Sequence, residues 1–139
     1  MQGGGINVYS SSVDMSNVEI HDNYCVGTYY QGMDDFGHGG GLFLNETSGN
    51  FDEIKIYNNS AAMHGGGIWS SFSSGWTLTK SDVSNNNAPI VGGGLALWDN
   101  NNNYSADCLP TLPAFCHTNT APNTVKVSLV LPHIFSKKE

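Results

Sequence analysis

An all-β chain wound as a parallel β-helix of about three to four coils is the fold class this sequence predicts, on three observations. Three glycines followed by an aliphatic residue occur four times, as Gly3-Gly4-Gly5-Ile6, Gly39-Gly40-Gly41-Leu42, Gly65-Gly66-Gly67-Ile68 and Gly92-Gly93-Gly94-Leu95, with starts 36, 26 and 27 residues apart. A second signature runs in phase with the first: an aliphatic residue, two polar or aromatic residues, then Asn, as Ile20-His21-Asp22-Asn23, Ile56-Tyr57-Asn58-Asn59 and Val83-Ser84-Asn85-Asn86. The third observation is alternation, with Ile6 and Val8, Leu42 and Leu44, Leu95 and Leu97 after triplets, and Val18 and Ile20, Ile54 and Ile56 between them. A near-constant period of this length marks a unit that cannot bury its own apolar face and must stack on its neighbours. Short alternating patches, with no apolar spacing of three and four sustained over ten residues, make that unit stranded rather than helical.

Taken in chain order, each repeat offers at least two short strands joined at corners of Gly and Asn. Glycine reaches positive φ without steric cost, so Gly39, Gly65 and Gly92 are expected to stack in one column. Asn tolerates the left-handed region and bonds nearby backbone, so Asn23, Asn59 and Asn86 are expected in a second column as an internal amide ladder. Two positions after each Asn stands a small residue, Cys25, Ala61 or Ala88, which predicts a tight interior corner and a buried structural thiol. Ile20, Ile56, Val83, Leu42, Ile68 and Leu95 are the expected interior.

Glycine triplets with an aliphatic residue, paired with hydrophobic-x-x-Asn, resemble the repeat of the polymorphic outer-membrane proteins. The resemblance covers roughly Gly3 to Asn100 and departs in having Gly at the third triplet position and Ile or Val as the hydrophobic. It implies a right-handed parallel β-helix on a cell surface, associated with adhesion. The repeats are expected over residues 1–103, with an irregular tail or cap over 104–139.

Composition bounds the rest. With 39% apolar and 12% charged residues the chain is globular rather than disordered. The formal charge is −7, no Arg is present, and the five lysines pair only at Lys137-Lys138. Phosphate backbones are bound through clustered Lys and Arg, so nucleic acid is not an expected partner. No segment is apolar enough to span a membrane, and neither a basic nor an apolar leader precedes the first triplet, so a fragment of a longer surface protein is one expectation. An extracellular or cell-surface setting is consistent with the acidic, Asn-rich composition. There the sequons at Asn45 and Asn103 are candidate glycan acceptors, while Asn58, also in a sequon, adjoins the ladder.

The tail changes character, with Cys108, Pro110, Pro113, Cys116 and Pro122. Cys108 and Cys116 are a candidate disulfide in an oxidising compartment, and Val125 to Leu131 alternates as a strand that would close the last coil. Cys108, Cys116 and His117 lack a fourth ligand for zinc, and no cofactor is expected.

Ten residues beyond the later period lie between Asn23 and Gly39, in an insertion from Val26 to His38 that carries Tyr29, Tyr30, Asp34, Asp35, Phe36 and His38. Insertions in stacked-repeat folds map to loops on one face, which makes these the candidate binding residues, for surface glycans or proteins. The alternative function class is a carbohydrate-active β-helix enzyme. Asp34-Asp35-Phe36-Gly37-His38-Gly39 is similar to the paired aspartates and Gly-His-Gly of polygalacturonases, but those lie on separate coils with an Arg-Ile-Lys clamp that this chain lacks. A pectate lyase would need an Arg base. His38 and His64 each precede a triplet, spelling the oxyanion-hole motif of some esterases, without a Gly-x-Ser-x-Gly elbow. Asp34, Asp35, His38 and His21 are potential ligands for a divalent ion, weighed against a solvated acidic loop.

Overall fold

The computed structural model describes residues 3–27, 37–73 and 76–98, together with the strands at 104–106 and 116–117. The protein is all-β, with no helix among the described residues, and its sheets are parallel apart from one terminal pair. The chain contributes β1 (Ile6–Tyr9), β2 (Met15–Ser16), β3 (Glu19–His21), β4 (Tyr24–Cys25), β5 (Leu42–Asn45), β6 (Gly49–Asp52), β7 (Lys55–Tyr57), β8 (Ser60–Ala61), β9 (Ile68–Ser71), β10 (Trp76–Thr79), β11 (Asp82–Ser84), β12 (Leu95–Trp98), β13 (Tyr104–Ala106) and β14 (Cys116–His117).

The first two repeats give one strand to each of four sheets in turn, and the third gives strands to the first three. The first sheet runs β1-β5-β9-β12-β13, the second β10-β6-β2, the third β14-β11-β7-β3, and the fourth pairs β4 with β8. Registers follow the sequence repeat: Ile6 pairs with Leu42, Leu42 with Ile68 and Ile68 with Leu95. In the third sheet Ile20 pairs with Ile56 and Ile56 with Val83. This is an arrangement compatible with a β-helix.

Inward residues make one core, Val8, Ile20, Leu42, Leu44, Phe51, Ile54, Ile56, Ile68 and Val83, all buried. Cys25, Ala61 and Ala88 are buried as well. Leu95, expected inside, is only half-buried, because it belongs to the last parallel strand of its sheet and no further repeat stacks on its inner side. Ser70 takes an inward position that Leu44 fills one repeat earlier, and its hydroxyl accepts a bond from Trp76 Nε1 at 3.0 Å.

Every corner is turned by a left-handed residue. Ser10, Glu46 and Phe72 end the strands of the first sheet, Asn17, Glu53 and Lys80 those of the second, and Asp22, Asn58 and Asn85 those of the third, all with φ between 42° and 55°. The fourth corner uses the first glycine of each triplet, with φ +69° at Gly39. The second glycine is needed for a different reason: a Cβ on Gly40 would collide with the Gly66 carbonyl of the next repeat.

The amide column is continuous. Asn23 Nδ2 donates to Asn59 Oδ1 at 2.9 Å and Asn59 Nδ2 to Asn86 Oδ1 at 3.0 Å. Each of those oxygens also accepts the backbone N–H of the preceding asparagine.

The tail adds two strands that sequence patterning did not indicate. β13 pairs antiparallel with β12, and β14 pairs parallel with β11 through Val83 and Cys116. Cys108, Asn103 and the Val125 to Leu131 stretch lie outside the described residues. None of the helices that would be long and apolar enough to cross a membrane occurs among the described residues.

Candidate functional site

The candidate site begins where the first repeat departs from its neighbours. Cys25 pairs with Ala61, and thirteen residues later His38 bridges His64, whereas in the second repeat only three steps separate Ala61 from His64. The ten extra residues therefore sit between Cys25 and His38. Their described ends meet. Ala62 and Met63 are consecutive, yet they donate to the carbonyls of Cys25 and Gly37, on opposite sides of the insertion, each at 3.0 Å. A Cβ on Gly37 would lie 3.1 Å from Gly27 Cα and 2.9 Å from Ala62 Cβ, so these glycines close a neck that side chains would hold apart. Tyr29, Tyr30, Asp34, Asp35 and Phe36 lie outside the described residues.

His38 stands at that neck and is buried rather than displayed. The left-handed turn at Gly39 folds the preceding residue back over the outer face of the first sheet, and Gly65 does the same for His64. There the two imidazoles stack with centroids 5.1 Å apart and planes within 8° of parallel. Trp69 lies 4.4 Å from His38 and 5.6 Å from His64. Phe43, Trp69 and Ala96 form a second buried cluster with Trp98 packed against it, and Tyr9 meets Phe43 at 5.3 Å. Alternation alone left these outward positions exposed. The signal in the sequence was the aromatic residue following the aliphatic one after two triplets, combined with a His preceding the same two.

Burial depresses both imidazoles. His38 is pushed down to about 4, first by desolvation and then by the neighbouring His64, and His64 is lowered by desolvation. Both rings are thus neutral at pH 7. Burial also pushes the Cys25 thiol up, which leaves it un-ionised and inert as a nucleophile.

The geometry removes the esterase reading. Gly39, Gly40 and Gly41 donate their amides to carbonyls of the next repeat, and Gly65, Gly66 and Gly67 do likewise, at 2.9–3.1 Å. None of these six glycine N–H groups remains to stabilise an oxyanion. His21 lies on the outer face of the third sheet, stacked on Tyr57 at 4.8 Å with Nδ1 2.7 Å from Asp22 Oδ2. Beside it, Glu19 accepts from Lys55 Nζ at 2.7 Å and from Tyr57 Oη at 3.2 Å. The hydrogen bonds from Lys55 and Tyr57 hold the Glu19 carboxyl below its usual range. Among the described residues no three or more His, Cys, Asp or Glu converge as a metal ligand set.

At the sequons, Asn45 is half-buried and its Nδ2 donates to Ser71 Oγ at 2.8 Å, while the Thr47 hydroxyl is buried against the Val8 and Asn45 carbonyls. Asn58 is exposed on a left-handed corner beside the buried Asn59.

No protein-family model, curated protein or solved structure matches the chain.

Proposed function

We propose that this chain is a non-catalytic, adhesive or structural module of a cell surface or extracellular space, built as a right-handed parallel β-helix of three to four coils like the repeat of the polymorphic outer-membrane proteins. The observation that carries this reading is the neck: ten extra residues leave and re-enter the scaffold at Gly27 and Gly37 without disturbing the registers on either side. A stiff stack that tolerates such an excursion suits the display of a contact loop. Tyr29, Tyr30 and Phe36 supply ring faces for sugar or protein, and Asp34 and Asp35 supply polarity.

The test is deletion of residues 27–36, which leaves Cys25-Val26-Gly37-His38 to match Ala61-Ala62-Met63-His64. The variant should keep its far-UV circular dichroism and its melting cooperativity, and lose binding on a glycan array and to cells. Undiminished binding would place the contact surface on the strand faces, against this proposal. Release of reducing sugar from acidic polysaccharides by the parent chain, lost in the variant, would favour the carbohydrate-active alternative.

A further inference from the structure

Asn-x-Ser/Thr triplets stand at Asn45, Asn58 and Asn103, and those at Asn45 and Asn58 lie among the described residues. Such a triplet is an acceptor for an N-linked glycan, a bulky and strongly solvated group that a folded chain carries where the asparagine faces water. The structure separates the two sites. Asn45 stands in the first sheet with its Nδ2 bonded to Ser71 Oγ at 2.8 Å, and the hydroxyl of its triplet, on the buried Thr47, is bonded to the Asn45 and Val8 carbonyls. The Thr47 N–H also donates to Ser73 Oγ, at 2.9 Å. A sugar on Asn45 would displace contacts that join neighbouring repeats.

Asn58 has the opposite surroundings. It turns the third corner with φ 55° and is exposed, while the next residue, Asn59, is 1% exposed and gives its amide to the column. The left-handed corner thus parts two adjacent amides, one to water and one to the interior. Asn58 is held through its backbone, whose N–H donates to Ser84 O at 3.3 Å, and among the described residues no hydrogen bond engages its carboxamide. Its neighbours along the corner column are Asp22 and Asn85, both short and exposed, with φ 55° and 54°. The hydroxyl of this triplet, on Ser60, is half-buried and lies 3.5 Å from Asn87 Nδ2, at the limit of a hydrogen bond.

We infer that Asn58 is a site at which this chain carries an N-linked glycan, and that Asn45 is not. In the transfer, Asn58 Nδ2 forms a bond to the anomeric carbon of an oligosaccharide donor activated as a lipid pyrophosphate. The anomeric C–O bond breaks, the pyrophosphate leaves with its electron pair, and Nδ2 loses one proton. A glycan at this corner leaves the amide column, the strand registers and the core as they are, because the group that carries it takes part in none of them. The inference rests on the extracellular setting proposed above.

The experiment secretes the full chain, behind a leader, from a eukaryotic host. The host supplies the compartment whatever the natural setting of the chain, so a failure counts against the corner and not against that setting. Glycopeptides are mapped by mass spectrometry on the protease-resistant fraction, taken from medium and cells together. A glycan on Asn58 is expected, lost both in Asn58→Gln and in Ser60→Ala, which keeps the asparagine, together with an unmodified Asn45. The glycosylated chain should melt at or above the temperature of Asn58→Gln. An unmodified Asn58, a glycan on Asn45 in the folded fraction, or a glycosylated chain that melts below Asn58→Gln overturns the inference.

Discussion

Asn59 joins three repeats through one side chain. Its Oδ1 accepts the Asn23 N–H at 3.1 Å and Asn23 Nδ2 at 2.9 Å, and its Nδ2 donates to Asn86 Oδ1 and to Ile20 O. Removing it takes four hydrogen bonds out of the column, at the Asn23 N–H, Asn23 Nδ2, Ile20 O and Asn86 Oδ1, each worth about 1 kcal/mol net. Asn59→Ala is therefore expected to lower unfolding free energy by more than ~3 kcal/mol in urea titration. Asn59→Asp, nearly the same shape, should be no better, because a carboxylate would face Asn86 Oδ1 and Ile20 O where two donors are required. His38 makes a separate contribution that depends on pH. Its folded pKa, about 4, is below the ordinary value of 6.5, so the unfolded chain binds a proton that the native chain excludes. Stability is then fully present above pH 6.5 and is lost as pH falls toward 4, on the order of 3 kcal/mol when complete. His64, lowered in the same direction by desolvation, adds to the loss as pH falls below 6.5. His38→Phe keeps a ring against Trp69 and should flatten the fall between pH 6.5 and 4.5 in denaturant titrations. An unchanged pH profile would mean that the imidazole is not held neutral by burial.

At the scale of the elements, strands this short depend on the corners that end them. Phe72 turns the corner after β9 with φ 50° and the residue is 48% exposed, so its burial recovers little for a backbone conformation that disfavours it. Asn accepts this region more readily, and Phe72→Asn should stabilise by about 1 kcal/mol, read as a rise in melting temperature. A fall would show that Phe72 makes contacts that outweigh its strain. These corners also mark what was legible in the sequence. The glycine and asparagine columns could be read because backbone geometry at those positions excludes other residues: Gly40 faces a carbonyl, and Asn59 must both donate and accept. Glu46, Glu53, Phe72 and Lys80 adopt left-handed φ with side chains that do not announce it, so those corners were invisible. The inward faces followed from alternation. The outer face of the first sheet did not, since its burial depends on His38 and His64 folding back over Trp69 through turns at Gly39 and Gly65. For the same reason His38 reads in sequence as a loop residue available to ligand, while the structure places it under the neck, 8% exposed. The neck itself was half legible: the surplus of ten residues gave its length, and only the bonds from Ala62 and Met63 located its ends.

For the whole molecule, every sheet is a column in which each repeat meets only its neighbours, and stability in such a stack is close to a sum of repeat and interface contributions. One repeat should therefore be removable. Deleting residues 42–67 joins Gly41 to Ile68 and brings together surfaces that already match: Ile6 over Ile68, Met15 over Leu78, Ile20 over Val83, Asn23 over Asn86 and Cys25 over Ala88. The amide column closes across the join, because Asn23 Nδ2 finds on Asn86 the acceptor it found on Asn59. The one surplus residue of the third repeat falls between Ser71 and Trp76, at a corner, where length is tolerated. The inward chemistry loses only one layer, Leu44 and Phe51 among it, and Val8 then meets Ser70, a poorer contact. The shortened chain should fold cooperatively with a far-UV spectrum of the same shape. It should unfold at lower urea concentration and with a smaller m-value, since less surface is exposed on unfolding. Loss of the cooperative transition would mean that the repeats are held by a contact running across several of them, and that the column picture fails.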